Sequence, residues 1–336
     1  MVLENYGQPL VLKDLPVPEI GSGEVLLRMR ACGICGTDLK ISTGRITTTH
    51  VPLVMGHEPM GEIVGLAPDV REFNIGERVI VSIYQSCGDC KFCLTGRSTL
   101  CLNLKGRTGF ELDGGFAEFL KVPATNLVKV PENIGDKEAA ILSCGVATPF
   151  HALRTRANVR PGDMVLVMGA GGLGIHAVQI ARLCGASVVA VDVEEQRLNL
   201  AKKYGADAVI FFNEADFVDQ VHRLAGPGVS VIFETVGQPA TIEAGLKVLE
   251  PGGKMVMAGY YPGKPFAAET PDIVLKELEI LGTRAMTKQE LFDLVSLVAR
   301  GRIKPVVTNH FSLTEVNAAL NMLAQGQILG RAVVVP

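Results

Sequence analysis

The sequence lacks the features that mark several protein classes. It has 32 Lys and Arg against 35 Asp and Glu, a net charge of −3, and no run of like charge. It therefore carries no basic field of the kind that attracts nucleic acid. The chain does not begin with a basic segment followed by an apolar stretch, which argues against a signal peptide. The longest apolar run, 164–181, is interrupted by four glycines, which argues against a membrane helix. We expect a soluble, cytoplasmic protein without nucleic-acid or membrane partners.

Glycine and cysteine stand out in an otherwise ordinary composition. Apolar residues make up 48% and charged residues 20% of 336 residues, which predicts a globular chain of about two domains. Glycine occurs 37 times and cysteine eight times. Because thiols stay reduced inside cells, the cysteines need an explanation other than disulfide bonds.

The pattern of the chain changes near residues 160–163. Short β-branched segments bounded by Gly, Pro or Asp fill the first part, and strand and helix patterns alternate afterwards. We predict six strands, at 164–168, 187–191, 208–212, 229–233, 254–258 and 278–281. Apolar strands that alternate with helices predict an α/β fold, a doubly wound Rossmann domain with a six-stranded parallel sheet. Two further helices, 288–300 and 313–325, and a strand, 332–335, are predicted at the end.

A glycine-rich turn follows the first of these strands. It consists of Gly169, Ala170, Gly171, Gly172, Leu173 and Gly174. Gly169 allows the tight turn, Gly171 lets the backbone approach a pyrophosphate, and Gly174 permits close packing of helix on strand. Asp192 ends the next strand, at the spacing of a residue that binds the adenosine ribose, and its charge favours NAD(H) over NADP(H). The alternative is a simple tight turn beside a surface acid.

Four cysteines lie close together in the pattern C-x2-C-x2-C-x7-C. They are Cys87, Cys90, Cys93 and Cys101. Four thiolates in a reduced protein are typical of a closed, structural Zn²⁺ site, with an iron–sulfur cluster as the chemical alternative.

A second set of metal-ligand residues is dispersed along the chain. Cys35, His57 and either Cys144 or Glu58 would supply the three ligands that a catalytic zinc needs beside its open position. Taken singly, each residue also has an ordinary explanation, since buried cysteine is often a small hydrophobic residue.

Together these motifs resemble a known family over nearly the whole chain. The segments are 32–38 (Cys-Gly-Ile-Cys-Gly-Thr-Asp), 56–58 (Gly-His-Glu), the four-cysteine lobe, 113–118 (Asp-Gly-Gly-Phe-Ala-Glu) and the glycine turn. They resemble the zinc-dependent alcohol dehydrogenases of the medium-chain dehydrogenase/reductase superfamily. The resemblance implies a GroES-like, β-rich catalytic domain formed by 1–146 and 286–336, and a Rossmann domain at 147–285. It also implies one catalytic and one structural zinc per chain.

The resemblance assigns roles to individual residues. Cys35, His57 and Cys144 would bind the catalytic zinc, with Glu58 able to approach it. The Thr37 hydroxyl would accept the alcohol proton. Further positions implied by the resemblance are Asp38, which would orient His57, and the cofactor contacts Thr148, Arg197 and Arg331. Many relatives have a histidine at the end of the proton relay; here Lys40 occupies that neighbourhood, so Lys40, water or ribose hydroxyls remain alternatives.

The implied function is reversible hydride transfer between a primary or secondary alcohol and NAD(H). A polyol, amino-alcohol or semialdehyde dehydrogenase with the same metal site is an alternative, as is a zinc-independent enoyl or quinone reductase. A non-catalytic NAD-binding zinc protein that senses redox state is an alternative of another class. The resemblance also implies a homo-oligomer, with a tetramer favoured over a dimer, paired near residues 278–284.

Overall fold

The computed structural model describes all residues from Met1 to Pro336. It contains fifteen strands. In chain order they are β1 (Val2–Leu3), β2 (Glu24–Ile34), β3 (Leu53–Val54), β4 (Glu58–Leu66), β5 (Arg78–Val81), β6 (Phe119–Pro123), β7 (Leu127–Lys129), β8 (Met164–Met168), β9 (Ser187–Asp192), β10 (Ala208–Phe211), β11 (Val229–Glu234), β12 (Leu249–Met257), β13 (Glu279–Gly282), β14 (Val307–Ser312) and β15 (Arg331–Val335).

Eleven α-helices and several short irregular turns connect these strands. The helices are α1 (Gly36–Ser42), α2 (Lys91–Leu94), α3 (Asp136–Ala140), α4 (Ala147–Phe150), α5 (Gly174–Leu183), α6 (Glu195–Lys203), α7 (Phe217–Ala225), α8 (Pro239–Lys247), α9 (Thr270–Leu275), α10 (Lys288–Ala299) and α11 (Val316–Ala324). A π-helical segment, His151–Arg156, continues α4. No helix is long and apolar enough to span a bilayer.

The chain divides into two compact units. The first comprises Met1–Ala147, Ala285–Gly301 and Pro305–Pro336, and the second comprises Thr148–Arg284 and Arg302–Lys304. The end of the chain thus belongs to the first unit, except for three residues that associate with the second.

The second unit is built on a six-stranded parallel sheet. Its strand order is β10-β9-β8-β11-β12-β13, with parallel pairing throughout. Numbered from β8, this is the 3-2-1-4-5-6 order of a complete doubly wound dinucleotide fold. The predicted Rossmann sheet is therefore confirmed. The central strands are apolar and buried, since helices cover parallel sheets on both faces.

Some predicted element bounds differ from those of the structure. β12 begins at Leu249, five residues before the predicted start, because the strand runs through Pro251-Gly252-Gly253, a sequence that reads as a turn. The predicted helix at 313–325 is a 3-10 turn, Leu313–Glu315, followed by α11. The helix α1 was not predicted at all.

The first unit is built on a seven-stranded sheet. Six of its strands follow the order β14-β15-β2-β4-β5-β7, and β6 also pairs with β2. All of these pairs are antiparallel except β14 with β15. β2 is the central element of this sheet, and its carboxyl end leads directly to Cys35 and α1.

Candidate functional site

Four metal-ligand side chains that lie far apart in the sequence meet in the first unit. The ligand atoms of Cys35, His57, Glu58 and Cys144 all lie within 4.8 Å of one another. Cys35 is the residue that joins β2 to α1, and His57 and Glu58 stand at the start of β4. Cys144 follows the 3-10 turn Ile141–Ser143. The fold thus assembles two sulfur donors, one nitrogen and one oxygen, a set that suits Zn²⁺.

Asp38 orients two of these ligands. It is fully buried on α1. The Nδ1–H of His57 donates to Asp38 Oδ1 (2.9 Å), and the backbone N–H of Cys35 donates to Asp38 Oδ2 (2.9 Å). Nε2 of His57 is left to face the cluster, 3.6 Å from Oε1 of Glu58. A carboxylate that fixes the ring of a histidine in this way is typical of metal sites.

Two buried polar atoms of the cluster have no hydrogen-bond partner. They are His57 Nε2 and Glu58 Oε2. Unpaired buried polar atoms are rare because each one loses its hydration without compensation. A cation at the centre of the four donors would satisfy both atoms, so the residues present fit a zinc ion.

The two thiols of the cluster share a hydrogen bond that separates their pKa values. This bond lowers the pKa of Cys35 well below its usual range, and the nearby charge of Arg331 acts in the same direction against burial. The same bond, followed by burial, raises the pKa of Cys144. The lowered pKa of Cys35 therefore favours its thiolate, the form that binds metal.

Arg331 lies beside this cluster, on β15. Its guanidinium forms an ion pair with Glu58, and both side chains are buried. Burial raises the pKa of Glu58 to about 7, although the charge of Arg331 opposes the shift. Arg331 was predicted near the cofactor pyrophosphate, and sequence analysis did not identify its pairing with Glu58, a residue 273 positions away.

The four clustered cysteines also converge in three dimensions. Their sulfur atoms lie within 4.8 Å of one another, with separations of 3.4 Å for Cys101–Cys87, 3.5 Å for Cys90–Cys93 and 3.9 Å for Cys87–Cys93. A tetrahedral site with Zn–S bonds of about 2.3 Å requires sulfur separations of about 3.8 Å. All eight cysteines of the chain are free, and these four fit a closed zinc site.

The glycine turn of the second unit has the geometry of an anion cradle. Gly169 adopts a φ of +92°. A Cβ on Gly171 would meet nothing within 4 Å, whereas one on Gly174 would collide with the carbonyl oxygen of Gly169. The turn is therefore open where a pyrophosphate would lie and tight where α5 meets β8. Gly172 lies within the turn, and Leu173 is the residue that precedes α5.

Asp192 holds this turn from the end of β9. Its Oδ2 accepts the N–H of Ala170 (2.8 Å), and its Oδ1 accepts the N–H groups of Val193 (2.8 Å) and Glu194 (3.1 Å). Arg197 lies close by, with Nη1 3.6 Å from Oδ1. Because each carboxylate oxygen has two acceptor positions, Oδ2 retains one for a ribose hydroxyl.

The remaining predicted residues fall in both units. Thr37 lies half-buried on α1, next to Asp38, and Lys40 is one helical turn further along. Thr148 is buried on α4 and belongs to the second unit.

A cavity of about 740 Å³ also lies in the first unit. Its lining includes Leu12, Leu15, Leu112 and Leu313, and none of the four candidate ligands of the first cluster.

Comparison with known proteins gives the family. Residues 21–132 match the model of the alcohol dehydrogenase GroES-like domain, and residues 172–300 match that of the zinc-binding dehydrogenase domain. An alcohol dehydrogenase of Geobacillus stearothermophilus is 36% identical over 334 residues, which cover 99% of this chain and 98% of the relative. The chain belongs to the zinc-dependent alcohol dehydrogenase family.

Other relatives of this alcohol dehydrogenase are named for different enzymatic activities. An acryloyl-coenzyme A reductase of Sulfurisphaera tokodaii is 33% identical over 338 residues, covering 100% of this chain and 99% of the relative. An L-threonine 3-dehydrogenase of Shewanella halifaxensis is 36% identical over 323 residues, covering 94% and 93%.

Solved structures agree with the family assignment. An NAD-dependent alcohol dehydrogenase superposes with a TM-score of 0.93 at 30% identity, covering 100% of this chain and 98% of that one. The alcohol dehydrogenase of Aeropyrum pernix superposes with a TM-score of 0.92 at 33% identity, covering 100% and 99%. The predicted fold and family are confirmed, and the protein is a zinc-dependent, NAD-dependent alcohol dehydrogenase.

Proposed function

We propose that this alcohol dehydrogenase oxidises a medium-sized primary or secondary alcohol reversibly to an aldehyde or ketone at the cluster of Cys35, His57 and Cys144. The observation that supports this assignment most directly is the buried, unpartnered Nε2 of His57 among sulfur donors. Ile83 and Phe110 belong to the apolar core against which Cys144 packs. This environment suits a mainly apolar substrate.

Each residue of the cluster has a distinct role in the proposal. The zinc ion, when bound, supplies a Lewis acid that lowers the pKa of an alcohol. Cys35, His57 and Cys144 would hold the ion, and Glu58, which is paired with Arg331, would lie close enough to approach it. Asp38 keeps the His57 ring in the tautomer that offers Nε2 to the metal.

Proton transfer begins at Thr37 in this proposal. Its hydroxyl both accepts and donates hydrogen bonds, so it can take the alcohol proton and pass it on. The next carrier is Lys40, water or a ribose hydroxyl. Lys40 lies on the same helix, and burial lowers its pKa, which favours the neutral amine, the form that can accept the proton from Thr37.

All the cofactor contacts in the proposal except Arg331 lie on the second unit. The pyrophosphate of NAD(H) would lie against the backbone of the glycine turn and the N-terminus of α5. Asp192 and Arg197 would meet the adenosine ribose, with the negative charge of Asp192 favouring NAD(H) over NADP(H). Thr148 would lie under the nicotinamide, and Arg331 would contact the pyrophosphate.

A second zinc ion completes the proposed composition. Cys87, Cys90, Cys93 and Cys101 would bind it and leave no open position, so its role is structural. Total metal analysis should find two zinc ions per chain. Six reduced thiols are then required for metal binding, which supports a cytoplasmic location.

We also propose that the protein is a homo-oligomer, with a tetramer favoured over a dimer. β13 is the last strand of the parallel sheet and has one unpaired edge. The neighbouring helix α9 exposes 69% of Val274 and 81% of Leu275. Exposed apolar side chains beside an open strand edge favour pairing with a second copy. Light scattering on the purified chain would measure the mass directly.

A kinetic screen tests the substrate proposal. NADH formation should be followed with simple alcohols, polyols and L-threonine, and NADH consumption with aldehydes and with acryloyl-coenzyme A. The relatives named above make amino-alcohol oxidation and enoyl-thioester reduction the specific alternatives. Preferred turnover of simple alcohols, abolished by 1,10-phenanthroline, is expected. Acryloyl-coenzyme A reduction that survives the chelator would instead favour the enoyl reductase. Zinc loss on peroxide treatment without turnover of any substrate would favour a redox sensor.

A further inference from the structure

A buried carboxylate in the second unit has no part in the chemistry described so far. Glu234 is the last residue of β11 and is fully buried. No Lys or Arg is paired with it, and the groups that lower the pKa of Glu234 are backbone N–H groups and a hydroxyl, against the larger effect of burial, which raises it. A buried acid without a cationic partner costs stability, so its presence needs an explanation.

The carboxylate of Glu234 holds the loop that follows its own strand. Oε1 accepts the N–H of Val236 (3.0 Å), and Gly237 donates its N–H to Oε1 (3.0 Å) and Oε2 (2.9 Å). The hydroxyl of Thr241, in the first turn of α8, donates to Oε1 (2.9 Å). The positive end of the α8 dipole also faces the site. Every observed contact of the carboxylate therefore fixes the segment between β11 and α8.

The same segment is locked to the glycine turn. The Thr235 N–H donates to the carbonyl of Met168 (3.0 Å). The Thr235 hydroxyl donates to the carbonyls of Met168 (2.9 Å) and Gly169 (3.2 Å). Gly169 is the first residue of the glycine turn, so a shift of Thr235 is transmitted to the turn.

The segment between β11 and α8 is also packed tightly against the residues that follow β12. Gly237 has a φ of +74°, and a Cβ there would lie 2.7 Å from the carbonyl carbon of Gly259. A Cβ on Gly259 would lie 2.5 Å from the nitrogen of Gly237. The backbone carbonyl of Glu234 itself accepts the N–H of Ala258 (2.8 Å). At Gly237 and Gly259 the two segments leave no room for a side chain between them.

The topology indicates what this loop serves. A doubly wound fold consists of two mononucleotide-binding halves, and β11 opens the second half as β8 opens the first. The loop between β11 and α8 therefore corresponds to the glycine turn, in the half that receives the nicotinamide mononucleotide. We propose that Glu234 is a positioning residue that sets this loop for the nicotinamide half of NAD(H). The inference rests on NAD(H) binding to the second unit.

Binding measurements on Glu234→Gln test the proposal. The amide has one acceptor where the carboxylate has two, and its NH2 group would face the donors of the loop. We expect the Kd of NADH, from fluorescence titration, to rise about tenfold or more, while the Kd of AMP, which occupies the adenosine half alone, changes less than threefold. Glu234→Asp should recover part of the NADH affinity, because it keeps the charge.

Controls make the result decisive. Glu214→Gln, at an exposed position of the same unit, should bind both ligands as the unchanged chain does. If Glu234→Gln fails to fold, Thr241→Val removes one donor while keeping the carboxylate, and it should weaken NADH binding by a smaller factor without affecting AMP. Unchanged NADH affinity in a folded Glu234→Gln, or equal losses for AMP and NADH, would overturn the proposal. A wild-type chain that binds neither ligand would instead refute NAD(H) binding itself.

Discussion

Replacement of Asp38 by asparagine should weaken the metal site without touching a ligand. Both contacts of Asp38 are acceptor contacts, to the Nδ1–H of His57 and to the N–H of Cys35. Asparagine offers one acceptor and one donor group, so one of the two contacts becomes donor against donor. Asp38 is fully buried, and water cannot compensate the orphaned N–H.

The magnitude follows from that loss. An unsatisfied buried donor costs about 1–3 kcal/mol. Outer-shell substitutions at metal sites typically reduce affinity or activity by about 10–100-fold, which corresponds to about 1.4–2.7 kcal/mol and agrees with the cost of one orphaned donor. We therefore expect zinc affinity at this site, and kcat/KM, to fall by about 10–100-fold in Asp38→Asn.

The assay is zinc retention against a graded series of chelator concentrations, with kcat/KM measured in parallel. The four-cysteine cluster of the same chain serves as an internal reference, because no Asp38 contact reaches it. Asp14→Asn, at an exposed position of the same unit, is the matched control and should be unchanged. Zinc affinity in Asp38→Asn within threefold of the wild-type value would refute the assignment of Asp38 as the residue that orients His57.

Four further substitutions test the other parts of the site. His57→Ala should abolish turnover while NADH still binds, and substantial activity of the zinc-depleted variant would contradict the metal assignment. Cys93→Ser should lower the melting temperature by about 10 °C or more, because structural zinc binding is largely folding free energy; an unchanged melting temperature after loss of that zinc would count against it. Gly174→Ala places a Cβ 3.2 Å from Cγ1 of Val167 and against Gly169. Overpacking of this kind costs about 1–3 kcal/mol of folding stability, so the melting temperature should fall by several degrees, whereas Gly171→Ala, with open space around its Cβ, should leave the unfolding transition unchanged.

The alternation of strands and helices after residue 160 could be predicted because the pattern of each element lies within one short segment of the sequence. Apolar strands and amphipathic helices repeat with periods that the sequence displays directly. The helix α1 was not predicted because it has only seven residues and follows directly from β2. The early part of β12 was not predicted because a Pro-Gly-Gly sequence normally indicates a turn. Only the pairing with the neighbouring strand β11 shows that it belongs to a strand.

Short spacings predicted two of the candidate sites from the sequence alone. The four cysteines from 87 to 101 and the glycines from 169 to 174 lie close in the chain, so loop closure brings each group together at little entropic cost. The chemistry of those residues then limits what each group can bind. For these two groups the sequence alone predicts the kind of site, and the structure brings their residues together as expected.

Only the tertiary structure decided what surrounds the cluster of Cys35, His57, Glu58 and Cys144. Cys35 and Cys144 come from segments that lie far apart in the sequence, and Arg331 pairs with Glu58 although 273 positions separate them. Glu234 is one of many acidic residues in the sequence, and only burial distinguishes it. Spacing carries no information over such separations, because the chain between two residues can follow many paths. Packing of the sheets selects one path, and it leaves Asp38, Arg331 and Glu234 buried beside the groups that they hold.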